Sequence, residues 1–154
     1  MKEWCGKADI MRYEILHHHG GFFIDADAIC LRPLGNELLN NDSFCCYENE
    51  ILRPGLLANG YLGASEGNTL MDELVKEIAQ RNMSSGMAWQ VTGPQLLTDI
   101  VARLYYQNLH VYPSGLFIPR HYTGYPGLNC KKKPYAAQQW GSTLNAYSPI
   151  SPTP

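Results

Sequence analysis

The stretch HHHGGFFIDADAICLRPLG, residues 17–35, sets two carboxylates, Asp25 and Asp27, one residue apart directly after the apolar run Phe22-Phe23-Ile24. Gly20-Gly21 stops a preceding helix, and the aromatic and β-branched run favours a short strand. The chain must therefore turn here and deliver both acids to the end of that strand. At an effective dielectric near 20, two carboxylates about 5 Å apart repel by roughly 3 kcal/mol, so a fold that holds them together usually also holds a cation. Oxygen donors of this kind suit Mg²⁺ or Mn²⁺, and two carboxylates are too few to enclose either ion. The missing oxygens have to come from elsewhere, and a substrate diphosphate is the usual source. Open α/β sheets bind ligands beyond the carboxyl ends of their strands, where this pattern puts the acids.

The rest of the chain reads as helices alternating with short strands. Ile10, Met11, Ile15 and Leu16 recur at helical spacing over residues 7–18, so a helix leads into the strand. Asp9 and Arg12, three apart on it, share a face and can pair or point at one ligand. AICLRPL is a second short extended segment, and SFCCYE, NGYLGAS and LHVYP are further strand candidates. Residues 68–82 form the clearest helix, with Asn68 as a capping residue and Leu70, Met71, Leu74, Val75 and Ile78 as its stripe. In the next helix Thr92 is expected to cap, Pro94 fits the first turn, and Leu96, Leu97, Ile100, Val101 and Leu104 face inward. A mixed α/β domain over residues 1–147 is expected, followed by a frayed tail at 148–154.

Length and composition bound the partners. With 154 residues, 45% hydrophobic and 17% charged against a usual charged share of about 25%, the chain suits one folded domain. A formal net charge of -2 leaves no electrostatic footprint for nucleic acid, and Lys131-Lys132-Lys133 reads as a solvated loop. Five cysteines without a C-x-x-C spacing argue against a zinc site or a disulfide framework and for a reducing, cytoplasmic location. The start has no apolar signal region, and no window is long enough to span a membrane. His17, His18 and His19 point in different directions on a helix, so they complement its C-terminus rather than chelate one ion. A ligand contact remains open at His121, within FIPRHYTGY. No nucleophile elbow and no glycine-rich phosphate loop is present. Most of the ten tyrosines and three tryptophans suit packing, while exposed aromatic faces, especially in QQWGSTLNAY, suit stacking on a sugar ring.

Taken together, KADIMRYEILHHHGGFFIDADAICLRPLG resembles the glycosyltransferase sugar-binding region with a DXD motif, found in initiating mannosyltransferases and capsular sugar transferases. Asp9, Arg12, Leu16, Gly20, Gly21, Asp25, Asp27, Leu31, Pro33 and Leu34 stand in register with its pattern. Weaker likeness continues through NGYLGASEGNTLMDELV, VTGPQLLTDI, VYPSGLFIP and YAAQQWGS. The resemblance implies a GT-A-like, Rossmann-like α/β fold and a metal-dependent, retaining transfer of sugar from a UDP- or GDP-sugar donor to a carbohydrate or other hydroxyl acceptor. In that scheme Asp25 and Asp27 are the catalytic, metal-site pair: Asp27 is the direct ligand of Mn²⁺ or Mg²⁺, and Asp25 contacts the donor's ribose or sugar, directly or through the metal's water. Asp9 and Arg12 bind donor-sugar hydroxyls, with Asn59, Trp140 and Ser142 as further residues of the sugar and diphosphate pocket.

Three departures from the pattern carry expectations of their own. Phe23 stands where relatives often have Tyr, removing a hydroxyl. Gln138-Gln139 stands where relatives tend to carry His, weakening a metal or phosphate contact there. Relatives also begin with further strands and helices that hold the nucleobase, and almost nothing here precedes Asp9. The chain is therefore expected to be N-terminally truncated relative to the family, or completed by a partner chain. An anchor lost with that start would change the location to the Golgi or a membrane. The competing expectation is a catalytically silent remnant or sugar-binding module of the same fold. A hydrolase using the same acids is the weaker third, because two carboxylates alone make a poor hydrolytic centre.

Overall fold

The computed structural model describes residues 4–81, 86–128, 132–141 and 143–144. The expected tail at 148–154 lies outside them. Helix α1 (Trp4–His19) ends at Gly20 and runs into strand β1 (Gly21–Ile24), followed by β2 (Ala28–Cys30), the short helix α2 (Asn36–Leu39), β3 (Ser43–Tyr47) and β4 (Leu57–Ala64). Helices α3 (Thr69–Gln80), α4 (Ala88–Val91) and α5 (Pro94–Leu104) come next, then β5 (Leu109–Tyr112) and β6 (Ala136–Gln138). Gly20 has φ +61, and a Cβ there would stand 2.6 Å from the Glu66 nitrogen, so only glycine makes this turn without displacing backbone.

Four strands form one sheet in the order β1-β4-β3-β5, with β3 and β5 parallel and the other pairs antiparallel. A second, two-stranded antiparallel sheet joins β2 to β6. Alternation along β3 divides the core. Cys45 faces a cluster with Tyr13 and Leu16 of α1 and the stripes of α3 and α5, whereas Phe44 and Cys46 face a second cluster with Tyr61, Phe117 and Tyr135.

The α3 stripe and its cap are found as read: the Asn68 side chain accepts from the Leu70 and Met71 nitrogens. Two local expectations are corrected. The N-cap of α5 is Gly93, not Thr92, whose hydroxyl is drawn elsewhere. On α1 the buried stripe is Gly6, Asp9, Arg12, Tyr13 and Leu16, while Met11 and Ile15 are 49% and 41% exposed. The helix therefore turns a polar stripe inward, which follows from what lies opposite. Among the described residues no helix is long and apolar enough to cross a membrane.

Candidate active site

Asp25 does end a strand, but β1 lies at the sheet edge and runs antiparallel to β4. The acids therefore sit where the end of β1 meets the middle of β4, with α1 and β6 closing around them, rather than at the carboxyl edge of a parallel sheet. The Asp25 nitrogen donates to the Gly60 carbonyl at 3.0 Å, and the Ala28 nitrogen donates back to the Asp25 carbonyl at 3.0 Å. That turn fixes both carboxylates.

Arg12 links the helix to the acids. Its Nη2 donates to Asp25 Oδ1 at 2.8 Å and lies 3.5 Å from Asp9 Oδ1. The guanidinium carbon stands 4.5 Å from the Phe23 ring centroid, so Phe23 is a platform for the cation. Arg12 is only 4% exposed, and its Nε and Nη1 have no hydrogen-bond partner. Asp9 is gripped from two further elements: Asn59 of β4 donates Nδ2 to Asp9 Oδ1 at 2.8 Å, and Thr92 Oγ1, between α4 and α5, lies 3.1 Å from Asp9 Oδ2. The Thr92 hydroxyl also lies 3.1 Å from the Ala88 carbonyl, so its single proton serves both acceptors. Asn59 also donates to the Tyr13 hydroxyl at 3.1 Å. Burial pushes the Asp9 carboxyl up from its ordinary 3.8, against the opposing pull of Arg12, Asn59 and Thr92. Burial likewise raises Asp25; Arg12 opposes the shift and the charge of Asp27 adds to it.

Asp27 is held from the C-terminal side. Gln138 Nε2 donates to its Oδ1 at 2.7 Å and the Gly141 nitrogen to its Oδ2 at 2.8 Å. The Gln138 Oε1 in turn accepts from the Tyr61 hydroxyl at 2.8 Å. Burial, with the nearby acids adding to it, pushes that phenol up from its ordinary value. Trp140 has φ +56, an unfavourable left-handed conformation for a bulky residue, directly before the Gly141 nitrogen that meets Asp27. Its indole Nε1 donates to the Arg120 carbonyl at 3.1 Å.

Asp9, Arg12, Asp25, Asp27, Asn59 and Trp140 all line one cleft of about 700 Å³, a size suited to a small-molecule ligand. Ser142 lies outside the described residues. Sequence reasoning missed Thr92, Tyr13 and Tyr61, and read Gln138 as a loss although it is a direct partner of Asp27. Only QQWGS hinted at the last of these. The three consecutive histidines occupy the last turn of α1 and do not line the cleft.

The acids suit a divalent cation. Both are hard oxygen donors, each Asp27 oxygen keeps a lone pair beyond the one it uses, and a cation would offset the repulsion that helps to raise Asp25. Among the described residues no group of three or more His, Cys, Asp or Glu gathers to hold a metal, so substrate and water oxygens would complete the shell.

Gly60 guards this arrangement. A Cβ there would lie 2.3 Å from Asp25 Oδ2. Gly60→Ala is expected to push Asp25 off Arg12 and lower the melting temperature, with overpacking of about 1–3 kcal/mol. Differential scanning calorimetry with a nucleotide-sugar titration checks both effects.

Residues 1–45 match the family model described as the glycosyltransferase sugar-binding region containing a DXD motif. That span includes every residue of the pattern from Asp9 to Leu34. An uncharacterized glycosyltransferase of Acanthamoeba polyphaga mimivirus is 30% identical over 100 residues, which cover 65% of this chain and 39% of the relative. The chain thus spans about two fifths of the length of that curated relative. Among solved structures, the PaToxG glycosyltransferase superposes with a TM-score of 0.51 at 16% identity, over 66% of this chain and 35% of that one. Likeness at that identity carries the fold, and the α/β, GT-A-like architecture implied by the sequence is the one found.

Proposed function

We propose that this chain binds a nucleotide diphosphate sugar at the acidic end of the cleft and transfers the sugar to an acceptor hydroxyl, with retention at the anomeric carbon. The observation that carries this is the convergence of Asp9, Arg12, Asp25 and Asp27 in one ligand-sized cleft, tied together by hydrogen bonds from β4 and β6. In the reaction the bond from the anomeric carbon to the diphosphate oxygen breaks, and the electron pair leaves with the diphosphate. The acceptor oxygen bonds to that carbon and its proton passes to the departing phosphate. The overall change balances without an added base.

Arg12 has two nitrogens, Nε and Nη1, without a hydrogen-bond partner, and their N–H groups are the donors that sugar hydroxyls and phosphate oxygens require. Asp9, immobilised by Asn59 and Thr92, accepts from sugar hydroxyls. Asp25 and Asp27 would hold Mn²⁺ or Mg²⁺, which supplies positive charge against the negative charge that gathers on the leaving diphosphate. Gln138 and Gly141 keep Asp27 turned toward the cleft. The donor's base and sugar are the points on which a panel of substrates decides.

Incubation with UDP-glucose, UDP-galactose and GDP-mannose, followed by mass spectrometry, tests the reading. Free nucleoside diphosphate is expected to accumulate with Mn²⁺ or Mg²⁺ and not with EDTA. Donor binding without release, even when acceptors are supplied, favours the sugar-binding module. Failure of every donor to bind overturns the transferase reading.

A further inference from the structure

Glu48, Arg53, Trp89 and Tyr122 form a further wall of the same cleft. Glu48, which follows β3, is held by two groups on the same oxygen: Arg53 Nε at 3.4 Å and His121 Nε2 at 3.3 Å both approach Oε1. On its other side the His121 ring meets Thr123, with Nδ1 2.8 Å from the hydroxyl oxygen and 3.4 Å from the backbone nitrogen. Arg53 also stands over Trp89, 5.4 Å from the ring centroid. On the other side Tyr122 and His121 pack edgewise on Trp140, with centroids 5.2 and 5.0 Å away. Trp89 is 38% exposed although it sits in a four-residue helix pinned by the Ala88, Thr92 and Asp9 contacts.

We infer that this wall is a saccharide subsite, in which a pyranose ring of the acceptor stacks on Trp89 and donates a hydroxyl hydrogen bond to Glu48. The chemistry favours a neutral sugar over other ligands of the cleft. Glu48 and Arg53 form a pair of zero net charge, and the carboxylate faces inward, so a phosphate or diphosphate gains nothing here and meets a like charge. The Arg53 cation is already engaged by Glu48 and Trp89. A pyranose presents one face of C–H bonds to an aromatic ring and a rim of hydroxyls to a fixed carboxylate, which matches an aromatic plane beside a buried, preoriented acceptor. His121 is a positioning residue, acting through Glu48.

The inference rests on the glycosyltransferase reading, and binding measurements separate the two. Saturation-transfer NMR with methyl β-D-glucopyranoside, methyl α-D-mannopyranoside and cellobiose reports saccharide contact whether or not turnover occurs, while calorimetry with UDP-glucose and Mn²⁺ reports the donor. In the unaltered chain at least one saccharide is expected to receive saturation at its ring protons. Trp89→Ala should cut saccharide affinity at least tenfold, Trp89→Phe should restore most of it, and Glu48→Gln should cut it severalfold. If Trp89→Ala fails to fold, the Phe and Gln variants decide. Absence of saturation for all three sugars overturns the inference. So does an equal loss of donor affinity in these variants, which would assign the wall to the nucleotide. Donor binding that fails in the unaltered chain while saccharide binding persists sinks the transferase reading and leaves the subsite standing.

Discussion

Asp27→Asn is expected to weaken Mn²⁺-dependent binding of a nucleotide sugar by about a hundredfold, or about 2.7 kcal/mol, while the domain stays folded. Asn keeps an oxygen that can accept from the Gly141 nitrogen, and Gln138 can rotate its amide so that a carbonyl meets the new NH₂. That rotation turns the Gln138 NH₂ toward Tyr61, whose hydroxyl oxygen can accept from it, so that hydrogen bond reverses direction. What disappears outright is the anionic charge and the hard-oxygen character that a divalent cation requires. Asp27→Ala removes the charge as well, but it also frees both donors of the C-terminal segment, so its effect mixes loss of metal with loss of order. The comparison is informative for that reason. Calorimetry of UDP-glucose with and without Mn²⁺ should show the Asn variant reduced to the metal-free affinity, with its melting temperature within a few degrees of the parent. Unchanged metal-dependent binding in the Asn variant would remove Asp27 from the metal site.

The parts of this site that were legible in the sequence are those whose geometry is local. Asp9 and Arg12 are one helical turn apart, and Asp25 and Asp27 share one turn after a strand, so spacing alone fixes each pair. Joining the pairs needed the resemblance. The partners that immobilise them come from far along the chain: Asn59 lies 50 residues from Asp9, Thr92 lies 83, and Gln138 lies 111 from Asp27. No periodicity reports contacts at such separations. The misread stripe of α1 has the same origin. Apolar spacing pointed to Met11 and Ile15 as core, yet the helix buries Asp9 and Arg12, because these charges find partners on β1, β4 and α4–α5 that solvent-facing positions would not supply. Thr92 was misplaced as a cap because its hydroxyl has a carboxylate to meet. Local rules fail here at the residues proposed to bind the donor, where a fold sacrifices consistency for chemistry.

Arg12→Met should have the largest effect on stability. The methionine approximates the arginine stem in length and keeps contact with Phe23, so the loss is chiefly electrostatic. Without the cation, the buried Asp9 and the part-exposed Asp25 are left without their counter-charge, and removing one partner of such a network costs up to about 3–5 kcal/mol. For a chain of this size, at about 2–4 °C per kcal/mol, the melting temperature should fall by about 6–20 °C at neutral pH. The dependence on pH gives the sign. Both carboxyls already titrate above 3.8 in the folded protein because burial opposes their ionisation. A carboxyl whose folded pKa is raised favours the folded state most below its unfolded value, and that contribution is lost as pH rises through the folded value. Arg12 lowers both values, so its removal raises them further and widens this window upward from 3.8. The deficit of the variant should therefore be smallest near pH 4, where both acids tend toward neutrality, and should grow toward pH 7. Thermal melts of parent and variant from pH 4 to 8 measure it. A deficit that does not grow with pH would mean that Arg12 stabilises the fold by packing on Phe23 rather than by neutralising Asp9 and Asp25.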